Sequence, residues 1–156
     1  MSRPRALAPP QIADELAAVD ASDLRPHDAW DGALVRGTFD VSAVTAGEMA
    51  GLDVTGCRFE AFDAIGLEAE RLSLTDVVFE GCDLSGSSFR LSQLRRVEFR
   101  DCRMSGVVFP ESVWRDVRLR GCKLDGVHLR GLDAERVELE RCVLRDADLT
   151  AGRWRA

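Results

Sequence analysis

A period of five residues constrains this chain more than any other feature. Counting from Leu34, every fifth residue is apolar: Leu34, Phe39, Val44 and Met49, on through Phe79, Leu84, Phe89, Phe99 and Trp114, to Leu144, Leu149 and Trp154. At 46% apolar composition, 25 such positions in succession arise by chance with a probability of roughly 10⁻⁸, before allowing for five registers. A second column lies two residues earlier and holds mostly small side chains, among them Cys57, Val77, Cys82, Ser87, Ser92, Val97, Cys102 and Val117. Two inward positions separated by one outward residue describe a short extended segment, because side chains alternate across a strand. A helix with a period of 3.6 does not suit them. Glycine recurs two residues after the large column, at Gly51, Gly66, Gly86, Gly106 and Gly126 among others. A chain turning a corner needs a permissive residue there.

The exceptions keep the same volume. Phe62 precedes Ala64, Leu67 precedes Ala69 and Leu132 precedes Ala134, so the small column grows where the large one shrinks. A longer period of twenty is carried by Cys82, Cys102, Cys122 and Cys142, and by Val77, Val97, Val117 and Val137. Four five-residue sides per coil stack these residues in columns. The repeats then make about six coils, roughly 30 Å of stack at ~4.8 Å per layer.

The units Cys82-Asp83-Leu84-Ser85-Gly86 and Ala147-Asp148-Leu149-Thr150-Ala151 resemble the consensus of the pentapeptide-repeat family: small, polar, Leu or Phe, then two variable residues. The resemblance covers Gly32 to Trp154. It implies an all-β fold, a right-handed quadrilateral parallel β-helix. The expected organisation is an N-terminal segment, 1–31, followed by the solenoid, 32–156. Within the first segment, Pro10 to Asp20 reads as a short helix capping the first coil: Pro10 opens it, Asp14 and Glu15 suit its first turns, and Ile12, Leu16 and Val19 share a face. Trp114 is large for its column and is expected at a bulge or pointing outward. Trp154, in the last unit, is expected to be hidden by a second copy, giving a homodimer through the C-terminal coil.

Composition narrows the function. The net charge of −6 disfavours non-specific DNA or membrane binding. No apolar window is long enough to span a bilayer. Met1 to Pro10 lacks the apolar run of a secretory signal, which points to the cytoplasm and to five reduced cysteines. No catalytic motif assembles, so the chain is read as a non-enzyme without cofactor or metal. His27 and His128 read as ordinary exposed residues, and the cysteine ladder as buried small hydrophobes.

The outward face carries the interaction signal. Flanking one corner in successive coils are Glu60 with Asp63, Glu80 with Asp83, Arg100 with Arg103, and Arg120 with Lys123. This candidate ridge is acidic, then basic. Glu80 and Asp83 are expected to pair with Arg100 and Arg103. Elsewhere like charges stack, an arrangement that stability alone does not favour. Three function classes follow. The first is a protein-interaction scaffold with an unidentified partner. The second is what the resemblance implies for some family members: mimicry of duplex DNA, binding to type II topoisomerase (DNA gyrase), and drug protection. The repeat region's net charge of −4 matches duplex DNA only in the first coils, since 30 Å of duplex carries about 18 negative charges. The third is nucleic-acid binding through the basic part of the ridge, which overall acidity and the lack of interleaved aromatic residues disfavour.

Overall fold

The computed structural model describes residues 6–28 and 30–156. Among the described residues ten strands occur in chain order: β1 (Ala17–Asp20), β2 (Trp30–Asp31), β3 (Ala33–Thr38), β4 (Asp53–Thr55), β5 (Arg58–Asp63), β6 (Ser73–Glu80), β7 (Gln93–Arg100), β8 (Val113–Arg120), β9 (Asp133–Glu140) and β10 (Arg153–Arg155). Every pairing is parallel. From β6 to β9 each residue stands on the one twenty positions earlier, as in Phe79↔Phe99 and Phe99↔Leu119. The other two sides of the coil follow the same offset through single bridges, Asp83↔Arg103 and Ser88↔Val108. The molecule is a four-sided parallel β-solenoid.

The corners explain the period. Every fifth residue from Gly51 to Ala151 is left-handed, with φ between 46° and 73°. Glycine occupies many of these corners, and at Gly121 a Cβ would also collide with the Asp101 carboxylate. Other corners carry side chains, including Asp76, Arg96, Asp116 and Arg136. A non-glycine residue costs about 1 kcal/mol or more there, so the surrounding pairing must hold it in place.

Both inward columns are buried from Met49 to Ala134. Phe59, Phe79 and Phe99 stack with centroids 4.8 and 4.9 Å apart. The volume swaps are realised: Phe62 and Leu132 are buried beside Ala64 and Ala134. The cysteines pack as apolar residues, and burial pushes the Cys57 thiol up from its ordinary range. The serines of the small column are buried too, yet satisfied: Ser87 Oγ donates to the Ala64 carbonyl at 3.0 Å and accepts from Leu67 N–H at 3.1 Å.

Four expectations need correction. No α-helix forms at Pro10 to Asp20. Residues 6–16 form no helix or strand and bend at Asp14 and Glu15, and β1 pairs with β3 in register Ala17↔Ala33 to Asp20↔Arg36. An isolated helix of that length is marginal in water, whereas a strand satisfies the open edge of the first coil. Ala21, Leu24 and Trp30 cover the core at this end. The turns number about seven, not six, because β1 adds a layer below β3, in the first coil of the repeat count. Leu34 is the third departure. Trp30 pairs with Val54 and Val35 with Phe59, an offset of 24, so the first coil is four residues longer than the rest. The phase shifts by one at the irregularity between Arg36 and Gly37, where Ala61 of the next coil has no partner in β3. Val35 therefore points inward and Leu34 is only partly buried. Finally, Trp114 points into the core, 1% exposed, edge-on to Phe109 at 5.0 Å. It fits because its partner in the next layer is Ala134.

At the far end the large column opens: Leu139, Leu144, Leu149 and Trp154 are 36% to 43% exposed. An internal cavity of about 40 Å³, lined by apolar side chains alone, runs along the axis past Met49, Leu52, Ala69 and Phe89.

Two substitutions test this packing. Phe99→Asp places a charge in the buried column and is expected to leave the protein unfolded or insoluble; a soluble variant with full β-sheet circular dichroism would refute the register. Ala69→Val narrows the cavity and is expected to add about 0.5–1 kcal/mol in urea unfolding, whereas a loss would mean that the void cannot accept two methyl groups.

Candidate interaction surface

The ridge is aligned as its spacing demands. Glu60, Glu80, Arg100 and Arg120 are successive partners across β5 to β8. Asp63, Asp83, Arg103 and Lys123 are bridged in the same order on the far side of the corner. Like charges do stack. The column of residues 58, 98, 118 and 138, two positions before the first ridge column, neutralises them sideways. Arg58 lies 3.7 Å from Glu60 and 3.5 Å from Glu80, and Arg36 pairs with Glu60 at 2.5 Å. Glu98 lies 2.9 Å from Arg100 and 3.7 Å from Arg120. Its side chain is only 5% exposed. Burial raises the Glu98 pKa, but the Arg100 hydrogen bond and the charges of Arg100, Arg120 and Arg118 outweigh it, so the carboxyl titrates below its ordinary range. Glu98, with Glu140 at 3.0 Å from Arg120, thus offsets the stacked charges of Arg100 and Arg120.

At the sign change, Asp83 meets Arg103 at 3.9 Å, while Glu80 has Arg58 in range from the layer below. The ridge is therefore mostly self-neutralised. Arg103 projects into solvent, 69% exposed, and among the described residues Lys123 has no ion pair. Of the other basic residues, Arg96, Arg115, Arg118 and Arg136 are engaged by carboxylates. His128 is 56% exposed, 3.9 Å from Asp148; His27 is exposed at the N-terminal end.

The count of outward positions omits a second charged column, on the corner before β6b, the Val77–Glu80 half of β6. Asp76, Arg96, Asp116 and Arg136 alternate in sign at twenty-residue spacing. Arg96 holds Asp76 through two hydrogen bonds, Nε to Oδ1 at 2.6 Å and Nη2 to Oδ2 at 2.5 Å. Arg136 holds Asp116 likewise, at 2.7 and 3.0 Å. Each carboxylate also accepts a backbone N–H from the N-terminal arm: Gln11 to Asp76 at 2.9 Å, and Ala8 to Asp116 at 3.1 Å. The signal in the sequence is plain once corners are counted, since these residues stand where glycine recurs elsewhere. The Arg96 hydrogen bond, helped by the Gln11 N–H, holds Asp76 below the usual carboxylate range despite burial.

A depressed folded pKa means that Asp76 and Glu98 stabilise the fold above their unfolded values, about 4, and that this contribution is lost as pH falls through the folded values. Unfolding free energy is expected to decline below about pH 4, with a shallower acid limb in Asp76→Asn; an unchanged limb would exclude the Asp76–Arg96 pair as its source. Glu98→Gln removes the carboxylate 2.9 Å from Arg100, leaving Glu140 to Arg120, and is expected to cost about 3 kcal/mol, partly restored by salt; a neutral effect would show that Glu140 and solvent suffice.

The described residues contain no helix long and apolar enough to cross a membrane. No curated protein matches the sequence. Among solved structures, a trypsin-treated form of QnrB1, a plasmid-mediated fluoroquinolone resistance protein, superposes with a TM-score of 0.52 at 19% identity, over 88% of this chain and 72% of that one. A pentapeptide repeat protein, Rfr23 of the cyanobacterium Cyanothece 51142, aligns at 16% identity with a TM-score of 0.43, over 80% of this chain and 86% of that one. The first of these shares the fold. The model of the pentapeptide repeat region matches residues 72–149. That span holds the uninterrupted twenty-residue coils from β6 through β9, and on these grounds the chain belongs to the pentapeptide-repeat family.

Proposed function

We propose that the chain is a non-catalytic scaffold that offers its ridge to a protein partner. The observation that carries this reading is the unbroken column pair from Glu60 and Asp63 to Arg120 and Lys123, fixed in position by backbone pairing. Rigid, regularly spaced side chains bind with little ordering cost, which suits recognition of another folded surface. The exposed charge of Arg103, held among the described residues only by Asp83 at 3.9 Å, and that of Lys123 favour an acidic patch on that partner. The exposed apolar residues of the last layer, Trp154 among them, support a second copy stacked there.

The second reading is a type II topoisomerase as the partner. The shared fold with QnrB1, a fluoroquinolone resistance protein, supports it. The neutralisation of Glu60 by Arg36 and Arg58 weakens the likeness to a polyanion. A DNA-gyrase supercoiling reaction, with and without a quinolone, separates the two. Inhibition or protection at micromolar protein, abolished by reversing Glu60, Asp63, Glu80 and Asp83, would establish the gyrase reading. No effect at tens of micromolar would remove it. A pull-down lost on Arg103→Glu with Lys123→Glu is then the expected outcome for the scaffold, and a partner retained by that variant would exclude the ridge. A salt-dependent gel shift with duplex DNA would point instead to nucleic acid.

A further inference from the structure

The alternating corner column has a property that the ridge lacks: it is already bound to a peptide. Residues 6–16 run along the solenoid against the direction of stacking. Ala6 and Leu7 lie beside Arg136 and Glu138, Ala8 reaches Asp116, Gln11 reaches Asp76, and Ile12 to Leu16 lie beside Leu34, Arg58 and Glu60. The two anchor points are the same structure repeated. In each, one Oδ1 atom accepts both an arginine Nε–H from the next layer and a backbone N–H from the arm.

The spacing of the two anchors matches a particular backbone. Asp76 and Asp116 are two coils apart, about 9.6 Å at the strand spacing. Ala8 and Gln11 are three residues apart, about 9.3 Å in a polyproline helix, which repeats every three residues. Between them stand Pro9 and Pro10. Proline fixes φ at the polyproline value and disfavours other conformations in the residue before it. It also has no N–H, so nothing is left unpaired opposite Arg96, the layer between the carboxylates. The bonds come from the peptide backbone, so the column reads conformation and donor spacing rather than side chains.

The solenoid does not need this segment. Asp76 and Asp116 are each paired with arginine without it, and the core is closed beneath. Ala6, Pro9, Gln11 and Ala13 are exposed. We propose that the Asp76–Arg96–Asp116–Arg136 corner is a binding groove for an extended, proline-containing peptide with free N–H donors three residues apart, and that the chain's own arm is its resident ligand. The groove binds by recognising a polyproline backbone through a carboxylate ladder of matching pitch.

The test uses the full chain and a fluorescent peptide of residues 6–16. In the intact chain carrying Pro9→Gly and Pro10→Gly, the loosened arm vacates the groove. This variant is expected to bind the peptide saturably and at least tenfold more tightly than the unsubstituted chain, in which the groove is filled. The same peptide N-methylated at Ala8 and Gln11 loses both donors without any change to the protein, and is expected to bind at least tenfold more weakly. Equal binding of the methylated peptide would overturn the proposal. So would a folded Pro9→Gly, Pro10→Gly variant that takes up peptide no better than the unsubstituted chain, or binding undiminished by Asp76→Asn with Asp116→Asn.

Discussion

Backbone hydrogen bonds between residues twenty apart hold this molecule, and the rest of the structure keeps that offset from slipping. A slip of one residue would turn every inward side chain outward. Three features act against it. The left-handed corner at every fifth residue fixes the length of each side. The rings of Phe59, Phe79 and Phe99 stack face to face only in this register. The buried serines bond to backbone groups of the preceding coil and so tie each layer to one neighbour.

The same offset governs the surface. Parallel stacking places each charged residue directly over its counterpart, so a coil that repeats its own charges builds columns of one sign. The chain resolves this in two ways. On the ridge, neutralisation comes from the side, with Arg58 between Glu60 and Glu80, and Glu98 between Arg100 and Arg120. At the neighbouring corner it comes from alternation along the stack, Asp76 to Arg96 and Asp116 to Arg136. The first solution leaves the ridge nearly neutral and regular. The second leaves carboxylate oxygens turned outward at every other layer, where a further donor can reach them.

Most of the solenoid is legible in the sequence because each coil contacts only its neighbours. Local spacing then determines global position: the columns headed by Phe79 and Val77 could be placed by counting, as could the ridge from Glu60 to Lys123. Counting fails where the coil length changes. Leu34 lies on the wrong side because four extra residues separate it from Phe59's layer. At Trp114 the count is right and size misleads, because its fit depends on Ala134 in the next coil rather than on its own unit. The arm was unreadable for a different reason. Ile12, Leu16 and Val19 have helical spacing, but the groove and the edge of β3 compete for the same residues, and neither is visible in the local sequence.

The arm also has a consequence in time. Ala8 is separated from Asp116 by 108 residues, whereas each coil needs only the twenty before it. During synthesis the coils assemble one upon the next as they emerge, each templated by the last. The arm has no complete ladder to lie against until the eighth strand has been made and the Arg136 layer above it follows. The arm therefore finds its place later than the coils it lies against, and a docked arm reports that the stack has been built at least that far.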